Sequence, residues 1–152
     1  MRDFRVRVRI LVKENPRDLP ESEGVTEACT ERIGMAAQHS QSLAAWLLHI
    51  PGLVVVAPGM AYDAKGLLKS VIRSNNPVVF FENKLLYAAT GAVPESEYLV
   101  PLGRADVKRT GSDVTVAAVG AMVGVALAAA ESLARDGIDV EVVDPRTLFP
   151  CD

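Results

Sequence analysis

Ala36-Ala37-Gln38-His39-Ser40-Gln41 opens into an amphipathic run that ends at His49-Ile50-Pro51-Gly52, and the reading of the chain turns on this stretch. Leu43, Trp46, Leu47 and Ile50 recur at the i, i+3, i+4, i+7 spacing of one helical face, which predicts a short helix that buries these four residues. Ser40 or Ser42 stands where a side chain accepts free N–H groups at a helix start, and Pro51-Gly52 supplies the stop. His39 then lies in the loop at the positive end of that helix, where the dipole favours a neutral imidazole able to donate or accept a proton. Read from the residues alone, an ordinary loop histidine accounts for it as well.

Working outward, residues 53–57 form a short apolar run before Pro58-Gly59 and predict a buried strand. Asp63 falls in the first turn of the next helix, where a carboxylate is favoured. Ala64, Leu67, Leu68, Val71 and Ile72 mark its buried stripe, with Lys65, Lys69 and Arg73 left wet. Asn75-Asn76-Pro77 turns the chain into 78–81, apolar throughout as a parallel strand covered on both faces should be. Strand, helix and strand make a right-handed β-α-β crossover. Residues 85–109 lack a sustained period and contain Gly91, Pro94, Pro101 and Gly103, so they read as a connector, with Glu95 and Glu97 facing solvent. A second β-α-β follows as strand 114–119, helix 122–135 with Gly137 as its stop, and strand 140–143.

Upstream, Phe4, Val6, Val8 and Ile10 alternate with Arg5, Arg7 and Arg9, the period of a strand with one wet, basic face. Residues 15–24 are polar and hold two prolines, a loop pattern, and 26–32 predict a weak helical turn. The 152 residues are 49% hydrophobic and 23% charged, the balance of a globular chain of about one domain's length. A formal charge of −3 argues against nucleic-acid binding. Cys29 and Cys151 lie far apart without a Cys-x-x-Cys pair, which favours a reducing compartment and no metal on sulfur. The apolar run 114–130 is interrupted by Gly120 and Gly124 and fits a βα unit better than a membrane span.

Ala36-Ala37-Gln38-His39-Ser40-Gln41-Ser42-Leu43-Ala44-Ala45-Trp46 and His49-Ile50-Pro51-Gly52-Leu53-Val54-Val55-Val56 together resemble the β subunits of thiamine-diphosphate-dependent 2-oxo acid dehydrogenases. The likeness continues through Tyr62-Asp63-Ala64-Lys65-Gly66-Leu67-Leu68, Asn76-Pro77-Val78-Val79-Phe80-Phe81-Glu82, Gly111-Ser112-Asp113-Val114-Thr115 and Asp144-Pro145-Arg146-Thr147-Leu148. Pyruvate, branched-chain and acetoin dehydrogenases belong to that family. The resemblance implies an α/β fold with parallel sheets: 34–90 as the C-terminal half of a transketolase-like pyrimidine-binding domain, 91–110 as a linker, and 111–152 as the first β-α-β of a transketolase C-terminal domain. Residues 1–33 fall outside it, and relative to the family the polypeptide is shortened at both ends.

The function implied is oxidative decarboxylation of a 2-oxo acid with acyl transfer to lipoamide, in a cytoplasmic or mitochondrial-matrix heterotetramer. An α subunit, a second β subunit and the lipoyl domain of a dihydrolipoamide acyltransferase are the implied partners. His39 matches the family's active-site histidine, which supplies a proton or hydrogen bond during decarboxylation or acyl transfer. Gln38 and Gln41 would orient the ring or line the cofactor funnel. Val71 and Ile72 carbonyls and the Asn76 side chain match a structural potassium site, although Ser74 stands where the family usually carries aspartate. No segment matches the family's glutamate on the aminopyrimidine ring, and the diphosphate and its magnesium belong to the α subunit, so the chain alone is expected to be inactive. A transketolase or deoxyxylulose-phosphate synthase fragment, a non-catalytic scaffold element and a small nucleotide-binding module are the other readings. Gly120-Ala121-Met122-Val123-Gly124 reads as close helix–strand packing, because it lacks the spacing of a phosphate loop.

Overall fold

A computed structural model describes the backbone of residues 8–11 and the whole of 42–152. The expectations for Gln38, His39, Gln41, Ser40, Cys29, 4–7, 15–24 and 26–32 lie outside the described residues. The elements run β1 (Val8–Leu11), α1 (Ala44–Leu48), β2 (Val54–Val56), α2 (Ala61–Arg73), β3 (Val78–Phe81), a 3-10 turn (Lys84–Ala88), β4 (Asp106–Arg109), β5 (Val114–Ala117), α3 (Met122–Arg135), β6 (Val140–Asp144) and β7 (Thr147–Phe149).

Both β-α-β units form as their hydrophobic periods require. β2 and β3 pair in parallel with Val54 opposite Val78, and β5 and β6 pair in parallel with Val116 opposite Val142. The sheets are mixed rather than parallel throughout. The first has the order β1-β3-β2-β7 and the second β4-β6-β5, with β1, β7 and β4 all added antiparallel. A crossover helix is needed to bring strands parallel, and Pro145-Arg146 is far too short to provide one. The chain therefore leaves the second sheet after β6, and β7 runs antiparallel onto β2 of the first. β4 is hidden from a periodicity reading because three of its four residues, Asp106, Lys108 and Arg109, are charged.

The first sheet is covered on both faces, because alternate residues of a strand point to opposite sides. Val54, Val56, Val78 and Phe80 pack with Leu67 and Val71 of α2, while Val55, Val79 and Phe81 meet Ala44, Leu47, Val119 and Leu148. In the second sheet Val140, Val142 and Ala118 pack on Val123, Ala126 and Ala130 of α3. The connector contributes to the first core. Val100 is buried there with Tyr98 and Leu102 beside it, an approach allowed because Gly66 lacks a Cβ that would stand 2.5 Å from Val100 Cγ2.

Two helix expectations need correction. α1 spans only Ala44–Leu48, has no side-chain cap, and buries none of its residues. Trp46 is 73% exposed and Ile50 48%, since only Ala44 and Leu47 reach the sheet among the described residues. On α2, Ile72 faces outward and Asp63 is fully buried, because the connector and the second sheet cover the side that carries Asp63 and Gly66. Arg73 pairs instead with Glu97 of the connector, both of them in water.

Two glycines separate packing from propensity. Gly111→Ala would set a Cβ against the Val140–Glu141 backbone, which cannot rotate aside, and should destabilise by roughly 3 kcal/mol. Gly124→Ala meets nothing within 4 Å on an exposed turn of α3 and should stabilise by about 1 kcal/mol through helix propensity. Urea midpoints of the two variants check both signs.

Candidate functional site

Open α/β sheets bind ligands at the carboxyl ends of their parallel strands, where loops diverge over the strand termini. A cavity of about 440 Å³ lies there, at the ends of β2 and β3. Pro58, Met60, Tyr62, Leu68, Phe80 and Tyr87 supply most of its apolar wall. Tyr62 stacks on Tyr98 with ring centroids 4.4 Å apart, and the Tyr98 hydroxyl donates to the Tyr62 carbonyl at 2.7 Å. The two charges on the wall are already occupied: the Tyr87 hydroxyl donates to Glu82 Oε2 at 2.9 Å, and Lys65 donates to the Pro94 carbonyl. Glu82 thus lines the cavity at the end of β3. Asn83, next in the chain, accepts the Leu85 N–H on Oδ1 at 2.9 Å and so caps the 3-10 turn. Its buried Nδ2 has no partner among the described residues.

Behind this cavity the two sheets meet through buried charge. Asp63, flanked by the wall residues Tyr62 and Ala64, is completely buried and accepts from Arg146 Nη1 at 3.1 Å and from Lys108 Nζ. Lys108 also donates to Asp106 at 2.6 Å. Burial opposes the Lys108 charge, but its bonds to Asp106 and Asp63 outweigh that and hold its pKa above the usual lysine value. The Lys108 hydrogen bond holds the Asp106 carboxyl below the usual carboxylate range, against the effect of partial burial. Arg146 also donates to the Arg104 carbonyl from Nε at 3.1 Å and from Nη2 at 2.8 Å, and to the Ala105 carbonyl at 3.2 Å. Its backbone has φ 58°, the left-handed region, and the Thr147 N–H reaches back to the Pro145 carbonyl across it. That is a tight three-residue turn of the strained kind, which persists because the surrounding bonds over-determine it. Gly120, also at positive φ, brings its carbonyl to within 2.6 Å of where a Gly59 Cβ would stand. The glycine pair seen in the sequence therefore divides. Gly120 is a point of close packing between the units, and Gly124 is exposed on α3.

The expected potassium residues lie together at the C-terminal end of α2. The Val71 carbonyl accepts the Ser74 N–H at 3.0 Å, and Ser74 Oγ accepts the Asn76 N–H at 3.2 Å. Val71 is buried, while Ile72 and Asn76 are exposed. The Val71 carbonyl and Ser74 Oγ thus each accept a backbone N–H of the turn, and Ser74 brings no carboxylate to it. Among the described residues no three His, Cys, Asp or Glu side chains gather as a metal site, and no helix is long and apolar enough to cross a membrane. His49 closes α1 as its exposed C-cap. Sequence reasoning did not find the ion cluster. Its one signal was the charge alternation Asp106-Val107-Lys108-Arg109, unusual for a connector.

Residues 32–90 match the transketolase pyrimidine-binding domain family, and residues 103–152 the transketolase C-terminal domain family. The acetoin:2,6-dichlorophenolindophenol oxidoreductase subunit beta of Bacillus subtilis is 56% identical over 117 residues, 77% of this chain and 34% of that one. The 2-oxoisovalerate dehydrogenase subunit beta of the same organism is 51% identical over 118 residues, 77% of this chain and 36% of its own. The pyruvate dehydrogenase E1 component subunit beta of Rhizobium meliloti is 50% identical over 119 residues, 78% of this chain and 26% of its own. The chain thus spans about a third of the length of the curated relatives it matches. Among solved structures, a split-gene transketolase in an inactive β4 tetramer superposes with a TM-score of 0.61 at 27% identity, over 74% of this chain and 37% of that one.

Removing one partner of a buried ion pair strands the other. Asp63→Ala should cost roughly 4 kcal/mol of unfolding free energy, since Arg146 and Lys108 both lose their buried acceptor. Asp63→Leu combined with Arg146→Met should recover a large part of that loss, as measured by chemical denaturation.

Proposed function

This chain belongs to the family of transketolase-like β subunits that serve the pyruvate, 2-oxoisovalerate and acetoin dehydrogenases, and we propose that it works as such a β-subunit polypeptide beside an α subunit. The reaction is oxidative decarboxylation of a 2-oxo acid with transfer of the acyl group to a lipoyl domain. One observation carries this reading: both transketolase domain families match in order on one chain that is 50–56% identical to these subunits over 117–119 residues.

Thiamine diphosphate, when bound, supplies the nucleophilic carbon for attack on the 2-oxo group. The described residues do not fit its diphosphate. The wall lysine is engaged by the Pro94 carbonyl, and Gly120 spends its backbone freedom on contact with Gly59. In this proposal, following the family resemblance, the diphosphate and magnesium belong to the α subunit, and residues 34–90 form one wall of the shared site, with 91–110 as linker and 111–152 as the start of the second domain. His39 holds or delivers a proton at the substrate carbonyl oxygen or the lipoyl sulfur, and Gln38 and Gln41 orient its ring. A second β subunit and the lipoyl domain complete the assembly. Exposed Trp46, Leu48 and Ile50 favour one further reading, an assembly element that binds its partners without turnover.

Co-expression with a dehydrogenase α subunit tests the choice. Acceptor reduction dependent on a 2-oxo acid supports the enzyme, and stable assembly without turnover supports the assembly element. His39→Ala should lower lipoyl acylation by about 100-fold while leaving the assembly intact. Unchanged acylation would remove His39 from the chemistry.

A further inference from the structure

We propose that the buried junction between the two β-α-β units is a proton-binding device, in which Asp144 takes up one proton and the uptake tightens the contact between the units. Three carboxylates and two cations meet there. Asp63 comes from α2, Asp106 and Lys108 from β4, Asp144 from the end of β6, and Arg146 from the turn before β7. Both cations are committed elsewhere. Lys108 bonds Asp63 and Asp106, and Arg146 bonds Asp63 and stands 3.9 Å from Asp106. Asp144 sits directly opposite Asp106 in the β4–β6 register and, among the described residues, receives only the Arg146 backbone N–H, on Oδ1 at 2.9 Å. Its buried Oδ2 has no partner among the described residues. The five side chains carry a net −1 when all are ionised, and one proton on Asp144 makes the cluster neutral. A buried carboxylate in that position costs far more than the neutral acid does.

Burial pushes the Asp144 carboxyl up to about 6, opposed by the Arg146 amide and by the charges of Lys108 and Arg146, and reinforced by the nearby Asp63. A carboxyl raised on folding favours the folded state while protonated, so this contribution is complete below the ordinary carboxylate value and is lost as pH rises through about 6. Asp106 acts in the opposite sense, but only below the ordinary carboxylate range, because Lys108 holds it low. The interval between about pH 4 and pH 6 therefore isolates Asp144. The consequence reaches the cavity. Asp63 lies between the wall residues Tyr62 and Ala64, and the Arg146 carbonyl accepts the Ala57 N–H at 2.9 Å just before the wall residue Pro58.

The test uses the full chain and two amides that span the junction, Ala57 N–H to the Arg146 carbonyl and Gly103 N–H to Thr147 Oγ1. After correction for intrinsic exchange rates, hydrogen-exchange protection at both should fall by about tenfold between pH 5 and pH 7.5. Asp144→Asn keeps the Oδ1 acceptor and cannot ionise, so its protection should not change over that range. Relative to this variant, the wild-type unfolding equilibrium constant should rise by roughly 50-fold from pH 4 to pH 7. Identical pH profiles for the two proteins would overturn the proposal. Should Asp144→Asn fail to fold, the carbon-13 titration of the Asp144 carboxyl in the wild type decides: a midpoint near 6 supports the device, and one near 4 rejects it.

Discussion

The two halves of this chain are held in register by the Asp63–Arg146 ion pair, buried at both ends. An ion pair out of water is stable only when its remaining donors and acceptors are filled. Arg146 meets that condition, spending its guanidinium on Asp63 and on the Arg104 and Ala105 carbonyls, and its own amide and carbonyl on Asp144 and Ala57. Its left-handed backbone would cost energy in isolation, yet it is the conformation that lets β7 leave one sheet and join the other. Arginine suits the place better than lysine would, because a planar, delocalised fork can serve several acceptors at fixed angles.

That constraint also shapes the cavity. Its wall begins directly after Ala57, whose N–H is held by Arg146, and continues across the first turn of α2, where Asp63 anchors Tyr62 and Ala64. Two further contacts stabilise the same region. The connector lays Tyr98 and Val100 on Gly66, and the Tyr62–Tyr98 stack closes one side. The cavity is thus built on a helix and two strand ends, elements that position side chains more tightly than free loops do. The apolar character of the wall follows from the same geometry, since β3 delivers Phe80 and α2 delivers Leu68 to it.

The relatives at 50–56% identity are beta subunits of dehydrogenases and of an acetoin oxidoreductase, each about three to four times as long as the stretch matched here. Two features look anomalous in a free-standing domain: Trp46 and Ile50 are exposed, and the β5 edge carries an exposed Val114. Exposed apolar surface of this kind is a common sign of contact with another polypeptide.

Much of the fold was legible in the sequence because hydrophobic period reports local structure directly. The valine runs of β2 and β3, the stripe Leu67-Leu68-Val71 and the glycine stop at Gly137 each name their element from a few neighbouring residues. β4 was not legible, since three of its four residues are charged and the reason for that, a set of buried partners on α2 and after β6, lies elsewhere in the chain. The antiparallel addition of β7, the outward face of α1 and the burial of Asp63 were hidden for the same cause. By itself the sequence determined two β-α-β units, their order and a family likeness, all properties of short-range pattern. Only the tertiary structure decided that Asp63, Asp106, Lys108, Asp144 and Arg146 form one cluster, because the attraction between charges depends on separation in space and on the water excluded around them.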